Sequence, residues 1–428
     1  MNIKHSENTM TLKFLLHYDD MLSEILNLTN TRYSDMKVLM YRYGSICEPF
    51  IKTSFEAMKL DVVEIKIHEE AKPKTDSERV QALSDILMAD SFLFVFSINF
   101  FPIVSDTCNI INVPYVCWTV DSPVIELFSP SIANTCNRIF LFDHDQYDYF
   151  KYDNPGHIFY LPLATEVFHF DHVLKNASSA DRQRFHSDVS FVGSLYSEMN
   201  PYSKVKGLSD HTKGFIDALV NAQIKIHGIN IMPDSITNEV LDDCIKNMPE
   251  LSASLCKDNP RAQRYLLAHY FMGSECAQRE RYLYLKCASE NFNTDLYTFS
   301  DTSRLPKIHN KGGANTLREM PIIFNESKIN LNITMRPISS GLSLRIFDVC
   351  GCGGFLLTNY QNELPLYYEI GKEVETFTSE EEFIDKIQFY LTHEKERRTI
   401  AENALKRTAQ EHTYIHRISK LIKTLLES

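Results

Sequence analysis

The chain has 428 residues, 44% of them hydrophobic and 23% charged, which is enough for two or three folded domains and excludes disorder as its general state. Its net charge of −12 argues against a protein that binds nucleic acid through phosphates, so no nucleic-acid partner is expected. The longest apolar run, residues 91–104, is too short to cross a bilayer, so no transmembrane segment is predicted.

The polar beginning of the chain, MNIKHSENTM, contains no apolar segment of the kind found in a secretory signal, which predicts a cytoplasmic protein. In that compartment the ten cysteines would be reduced thiols. Cys350 and Cys352 have no second pair at metal-ligand spacing, so no zinc site is expected. Residues 1–35 are interpreted as a polar extension with some helical periodicity.

From residue 37 onward, short apolar runs alternate with helical segments. Such continuous runs of β-branched and aromatic residues are typical of parallel strands covered by helices on both faces. A helix is predicted at Pro49–Lys59, and the predicted strands are Val38–Tyr41, Val62–Ile67, Phe92–Ser97, Tyr115–Thr119, Arg138–Phe142 and Ile158–Leu161.

A second set of alternations follows the segment Leu161–Thr165, which is interpreted as a linker. The set begins at Val189 and continues with predicted strands Asp295–Phe299, Ile329–Ile333 and Phe355–Thr358. Residues 204–290 are helix-rich and are interpreted as an insertion or as an elaborated first helix of this domain. Residues 379–426 are predicted to form a helical tail.

This pattern predicts an α/β protein with two Rossmann-like domains facing a central cleft, the first at residues 1–165 and the second at 166–428. We expect the last helix to pack back toward the first domain. Ligands of such sheets bind beyond the carboxyl ends of the strands.

The strongest site signal lies between residues 304 and 354. Six of the 14 glycines fall within 312–354, and between residues 304 and 345 seven cations stand against two acids, a local charge of +5. A small anionic ligand explains this excess, and chance clustering on a solvated face is the alternative.

A helix is predicted over Leu342–Cys350, directly after Ser339, Ser340 and Gly341. Serine at a helix start caps free amides, and the helix N-terminus attracts anions. On this helix Leu342, Ile346 and Val349 would share a core face, whereas Gly341, Arg345, Asp348 and Cys352 would share another.

Arg345 is a candidate ligand for a diphosphate, and Asp348 for the hydroxyl groups of a ribose. The alternative, which the sequence leaves open, is that Arg345 and Asp348 only pair with each other.

Several segments in order along the chain resemble the CgeB-like (spore-maturation type) and related group 1 bacterial glycosyltransferases. In the second half they are SKINLNIT (327–334), SGLSLRIFDVCGCGGFLLTNYQNEL (340–364), GKEVETF (371–377), YLTHEKERRTIAENA (390–404) and HTYIHR (412–417). In the first half they are VPYVCWTVDSP (113–123), FDHDQYDYF (142–150) and SFVGSLY (190–196).

The resemblance implies a GT-B fold whose C-terminal domain binds a nucleoside-diphosphate sugar, with UDP as the expected nucleotide. It implies transfer of the sugar to a protein hydroxyl or a glycan. Many group 1 enzymes carry two glutamates eight positions apart, and here these positions are Ser340 and Asp348. The second keeps a carboxylate and the first does not, which leaves retaining or inverting stereochemistry open.

Further site candidates follow predicted strands. Gly193 and Ser194 would offer amides to a phosphate or sugar, and Asn332 with Thr334 would either bind the donor or form buried hydrogen bonds. Asp121 is the candidate general base for the acceptor, with a turn before Pro123 as the alternative; His144 is the second candidate base. The predicted donor-binding set is Gly193, Ser194, Asn332, Ser340, Gly341, Leu342, Arg345 and Asp348.

No Asp-x-Asp motif lies in a donor-type loop, so no metal and no cofactor beyond the sugar donor are expected. Two other functions remain open. One is a nucleotide-sugar epimerase, and the other is a non-catalytic GT-B relative that binds a partner.

Overall fold

The computed structural model describes residues 36–66 and 75–427, and the structural statements below concern these residues. The predicted extension at 1–35 and Ile67, the last residue of the second predicted strand, lie outside them. No helix within the described ranges is long and apolar enough to cross a bilayer.

The first sheet has six parallel strands in the order β2-β1-β3-β4-β5-β6. Its central strands β3 and β4 are buried at every position because helices cover both faces. The strands are β1 (Lys37–Arg42), β2 (Asp61–Lys66), β3 (Phe94–Ile98), β4 (Tyr115–Trp118), β5 (Asn137–Leu141) and β6 (Ile158–Tyr160). The connecting helices are α1 (Glu48–Ala57), α2 (Asp76–Ala89), α3 (Pro102–Ile111) and α4 (His144–Phe150), with 3-10 turns at Ile125–Phe128 and Pro130–Ala133.

Two helices, α5 (Val167–Asn176) and α6 (Ser179–Phe185), lead into the second sheet. This sheet also has six parallel strands, in the order β12-β11-β10-β7-β8-β9. The strands are β7 (Ser187–Val192), β8 (Thr294–Tyr297), β9 (His309–Asn310), β10 (Ser327–Asn332), β11 (Leu356–Asn359) and β12 (Glu375–Phe377).

A helical insertion separates β7 from β8. Its helices are α7 (Asp210–Ile224), α8 (Met232–Ser235), α9 (Asn238–Asn247), α10 (Pro260–Leu266) and α11 (Gly273–Asn291), with 3-10 turns at Tyr202–Lys204, Pro249–Ser252 and Ser254–Cys256. A π-helical turn, Leu267–Met272, joins α10 to α11 without a break. The insertion has a core of its own, which includes Ile216, Val240 and Phe271.

The remaining helices are α12 (Met320–Glu326), α13 (Leu344–Gly351), α14 (Leu364–Tyr367), α15 (Glu380–Thr392), α16 (Glu394–Glu411) and α17 (Tyr414–Glu427). The predicted α/β architecture with two sheets is confirmed. Strands β9 and β12 were not predicted, because together they contain one apolar residue, Phe377, and so show no apolar run. The predicted helical tail is divided at His393 and His412.

The last helix, α17, packs on the first sheet's side of the molecule. The Tyr414 ring lies 6.2 Å from that of Trp118 and stacks on that of Phe50 at 5.9 Å, between ring centroids. The amide of Thr165 donates to His412 O, and the amide of Tyr414 donates to Thr165 O, both at 3.1 Å. Thr165 follows the last strand of the first sheet. These contacts hold it next to helices that follow the second sheet.

The carboxyl ends of the two sheets meet. Ser122, which follows β4, donates from Oγ to the carbonyl oxygen of Pro337, which follows β10, over 2.7 Å. The amide of Ser339 donates to Oδ2 of Asp143, which follows β5, over 2.6 Å. The cleft therefore lies where sheets of this type bind ligands.

Candidate active site

Asp121 is held in one orientation at the edge of the first sheet. Asn99, which follows β3, donates from Nδ2 to Asp121 Oδ2 over 2.6 Å and accepts the amide of Val120 at 3.0 Å through Oδ1. Asn99 lies in the left-handed backbone region (φ 59°), which asparagine tolerates better than most residues. The Asp121 side chain itself is exposed, so it remains open to a ligand.

Tyr43 adds a third contact from the end of β1. Its hydroxyl donates to Asp121 Oδ2 at 3.5 Å and accepts from Asn99 Nδ2 at 3.0 Å. Burial, followed by the charge of Asp121, raises the pKa of the Tyr43 phenol, which therefore remains a hydrogen-bond donor at neutral pH. Three strand ends thus converge on one carboxylate.

The loop between β10 and α13 forms the opposite wall and touches the first domain at Asp143. Ser340 Oγ donates to Asp143 Oδ1 over 3.1 Å. A Cβ at Gly341 would lie 3.0 Å from Asp143 Cα and 3.2 Å from Phe142 O. Any larger residue at Gly341 would therefore push the two walls apart.

Ser340 also connects to Glu363, which precedes α14. The Ser340 hydroxyl lies 2.7 Å from Glu363 Oε1, and the same oxygen accepts the amide of His144 at 2.8 Å. Tyr160 donates its hydroxyl to the other carboxylate oxygen of Glu363. Burial raises the pKa of both Asp143 and Glu363, so protons are retained in this network more readily than in water.

The prediction that Ser339 or Ser340 caps the following helix is wrong. Helix α13 begins at Leu344 instead of Leu342, and Ser343 precedes it without a side-chain capping bond. Ser339 and Ser340 are instead drawn into the contact with Asp143. Leu342 is buried in the loop.

On α13, Arg345 and Asp348 pair with each other, and the binding of a diphosphate and a ribose by these residues stays a prediction. Arg345 Nη1 lies 3.6 Å from Asp348 Oδ2, and the guanidinium lies over the Phe324 ring at 5.1 Å. Asp348 Oδ1 accepts the Thr165 hydroxyl at 2.7 Å. Burial raises the pKa of Asp348 to about 6, against the opposing effects of Arg345 and Thr165.

Asp348 lies at the base of a narrow cavity between the domains. The loop after β1 (Ile46 and Cys47) covers it from one side, and Thr316 and Leu344 line the other. The cavity volume is about 10 Å³, which is the space of a single water molecule. A ribose would reach Asp348 only after the loop after β1 and α13 move apart.

Gly193 and Ser194 follow β7 as predicted, but the amide of Gly193 is not free, because it donates to Tyr297 O at 3.1 Å. Arg281 of α11 reaches the carboxyl ends of the neighbouring strands β7 and β10. Its guanidinium donates to the carbonyl oxygen of Ser194 and, at 3.1 Å, to that of Ile333. Arg281 was not predicted as a site residue, because it reaches these strand ends from the insertion.

Asn332 and Thr334 form a buried hydrogen-bonding network, one of the two predicted alternatives. Asn332 donates to the hydroxyls of Thr334 and Thr358 at 2.9 Å each, and its Oδ1 accepts from Ser343 at 3.3 Å. The network ties β10 and β11 to the start of α13. A donor contact by Asn332 stays a prediction.

Phe299, which sequence reasoning missed, follows β8 and is 94% exposed. Its ring lies directly on the backbone of Gly313, where a Cβ would overlap the ring. The ring is therefore exposed to solvent at the carboxyl edge of the sheet.

The basic window at 304–345 does not form one patch. Arg336 is buried against Glu280 at 2.6 Å, Lys328 pairs with Asp188 at 2.6 Å, and Arg345 pairs with Asp348. Lys311 lies 3.5 Å from Asp295, so four of the seven cations have a carboxylate partner.

His144 begins α4, and its ring approaches Asp148 Oδ2 at 3.2 Å. His412 packs among Phe347, Tyr367 and Tyr368, and burial lowers its pKa to about 4.

Among residues 36–66 and 75–427, no three His, Cys, Asp or Glu side chains cluster in a way that could hold a metal ion.

Comparison with known proteins places this geometry in context. Residues 277–423 match a family model described as glycosyl transferase-like. No curated protein sequence matches the chain.

Solved structures match nearly the whole chain. Alr3699/HepE of Anabaena, in complex with UDP and glucose, has a TM-score of 0.51 at 12% identity, covering 92% of this chain and 100% of its own. Sucrose-phosphate synthase of Thermosynechococcus elongatus has a TM-score of 0.52 at 9% identity, with 92% and 99% covered. A glycosyltransferase from Rickettsia africae ESF-5 has a TM-score of 0.50 at 8% identity, with the same coverage. The chain therefore has the GT-B fold, and its residues 277–423 match the glycosyl transferase-like family.

Proposed function

We propose that this chain is a glycosyltransferase of the hexosyltransferase type. It transfers a sugar from a UDP-linked donor to a hydroxyl of a protein or glycan acceptor, and it belongs among the CgeB-like and group 1 bacterial enzymes. The observation that carries the proposal is the pairing of two features across one cleft. Asp121 is oriented by Asn99 and Tyr43 on one wall, and α13 presents Arg345 and Asp348 on the other.

In the proposed reaction Asp121 is the general base. It takes the proton of the acceptor hydroxyl while the acceptor oxygen bonds to the anomeric carbon of the sugar. The bond between that carbon and the phosphate oxygen breaks, and its electron pair leaves with UDP. A positioned base contributes about 10²–10⁴-fold to such a step.

The donor side is proposed to form when the cleft opens. Arg345 then exchanges part of its contact with Asp348 for the diphosphate, and Asp348 accepts hydrogen bonds from the ribose. Arg281 adds positive charge near the ends of β7 and β10. The exposed ring of Phe299 offers a surface on which the base can stack.

The proposal includes two domains, residues 1–165 for the acceptor and 166–428 for the donor. It also includes a cytoplasmic location and stabilisation of the leaving diphosphate by cations and helix dipoles without a metal. Gly193, Ser194, Asn332, Ser340, Gly341 and Leu342 are proposed to shape the donor side.

Chromatography of UDP-sugars incubated with the protein tests the proposal. Release of UDP, faster with an acceptor present, supports transfer. Conversion to an isomeric UDP-sugar supports an epimerase. An intact donor that binds nowhere in calorimetry rejects both enzymes and favours the partner-binding alternative.

A further inference from the structure

A large cavity lies outside the cleft, between the helical insertion and the loop after β8. It has a volume of about 960 Å³ and is open to solvent. Its walls are the outer face of α11, the start of α7, the segment 200–208 and the loop after β8. Small-molecule sites typically measure about 300–1,000 Å³, so this groove has room for one or more sugar units.

Positive charge collects in this groove although the chain is acidic overall. Its lining includes four cations, Lys213, Arg279, Lys286 and Arg304, against one acid, Glu275. Arg279 is already neutralised, since it contacts Glu275 and Asp217 at 2.6 Å each. The other three cations come from α7, α11 and the loop after β8, and only the fold brings them together.

These three cations have weak partners or none among the described residues. Arg304 forms no ion pair there; its guanidinium stacks over the Tyr282 ring at 4.4 Å. Lys286 lies 4.0 Å from Glu290, and Lys213 lies 3.7 Å from the fully exposed Asp210. Exposed pairs of this kind contribute little and are readily exchanged for a ligand.

The stacking of Arg304 on Tyr282 orders the planar guanidinium, which donates hydrogen bonds, at the rim of the groove. Tyr282 is fixed in turn, because its hydroxyl donates to Asp301 O at 3.1 Å. A guanidinium held in this way is suited to bidentate binding of a carboxylate or phosphate. Tyr202 and Gln278 add an aromatic ring and an amide to the lining, groups that suit a sugar ring and its hydroxyls.

We propose that this groove binds an anionic saccharide, a sugar carrying a carboxylate or phosphate, through Arg304, Lys286 and Lys213. The site is separate from the donor cleft and does not depend on the proposed transfer reaction. It gives the insertion a binding role of its own.

Calorimetry tests the proposal with glucose 6-phosphate, glucuronic acid, glucose and inorganic phosphate, each titrated first without UDP and then with saturating UDP. We expect one or both charged sugars to bind more tightly than glucose and than phosphate alone. Arg304→Gln and Lys286→Gln should each weaken this binding about tenfold or more. Lys307→Gln, an exposed lysine in the loop after β8 that does not line the groove, should leave it unchanged.

Preference for one charged sugar identifies whether the carboxylate or the phosphate is recognised. Equal binding of phosphate and glucose 6-phosphate would overturn the saccharide claim. Binding that survives Arg304→Gln and Lys286→Gln in folded protein would overturn the site, as would binding that disappears when UDP is added.

Discussion

The Thr165 hydroxyl donates a 2.7 Å hydrogen bond to Asp348 Oδ1, so the segment that follows the first sheet is tied directly to the helix that carries Arg345. The same carboxylate faces Arg345 through its other oxygen. Asp348 therefore takes part both in the contact between the two halves of the chain and in the proposed donor side. Binding of a ribose at Asp348 would compete with the Thr165 contact and favour a more open cleft.

Asp121→Asn tests the proposed base. The amide keeps the size and much of the contact with Asn99 but cannot accept a proton, so sugar transfer should fall at least about 100-fold. UDP affinity in calorimetry should stay near that of the wild type. Asp106→Asn is the matched control, because Asp106 is likewise exposed and accepts a side-chain amide, that of Asn134, at 2.9 Å. Transfer at the wild-type rate by Asp121→Asn would leave Asp121 as a turn residue.

Arg345→Ala tests the diphosphate contact. Loss of a charged hydrogen bond should weaken UDP binding by roughly 10- to 150-fold. The helix should persist, because Ile346 and Val349 remain buried in the core. Arg398→Ala serves as the control, since it removes a guanidinium paired with Glu394 on an exposed helix face. Unchanged UDP affinity in folded Arg345→Ala would show that Arg345 is only a partner of Asp348.

Stability should depend on pH through Asp348. Burial raises its pKa from 3.8 to about 6, so its contribution is fully present below pH 4 and is lost as the pH rises through 6. Relative to Asp348→Asn, the wild type should therefore lose about 2 kcal/mol of unfolding free energy between pH 4 and pH 8 in urea titrations.

Asp301→Asn provides a control of opposite sign for this pH experiment. The Ser303 amide lowers the pKa of Asp301, so the wild type should gain stability over Asp301→Asn as the pH rises through the acidic range. If the difference between wild type and Asp348→Asn did not change with pH, the raised pKa of Asp348 would be refuted.

Phe299→Ala tests the stacking surface. Stacking of a base on an aromatic ring contributes about 1–3 kcal/mol, so UDP affinity should fall roughly 5- to 150-fold, and Phe299→Tyr should retain it. Tyr152→Ala, another highly exposed aromatic residue, is the control. Equal affinities of Phe299→Ala and wild type for both UDP and uridine would exclude a role in base binding.

Turnover should be independent of metal ions. The positive charges of Arg345 and Arg281 are expected to stabilise the leaving diphosphate. Rates measured with excess chelator should match those without it. Loss of activity that manganese or magnesium restores would show that a metal takes this role.

The two sheets were predictable because most of the strands carry continuous apolar runs. The burial of Ile346 and Val349 on α13 was predicted from their spacing, but the helix is also buried at Asp348, which was assigned to the opposite face. The hydrogen-bond partners of the site residues were not predictable from the sequence. Thr165 and Asp348 lie 183 residues apart, and no local pattern reports such a contact. Arg281 reaches the strand ends from an insertion, so only the tertiary fold reveals it.

The role of Ser340 was mistaken for a similar reason. A serine before a helix has the pattern of a cap, but the contact with Asp143 and Glu363 across the cleft prevails here. The single hydroxyl contacts Asp143 after β5 as well as Glu363, which is visible only in the tertiary fold, where the carboxyl ends of the two sheets meet.

The central claim is that the protein moves a sugar from a UDP-linked donor, and incorporation of label measures this most directly. A panel of UDP-sugars, radiolabelled in the sugar, is incubated with the protein and a mixture of protein and glycan acceptors. The account predicts label in an acceptor and an equal amount of free UDP, with both falling together in Asp121→Asn. Label that stays entirely in intact donor, with wild-type protein that is folded and binds UDP, would contradict it.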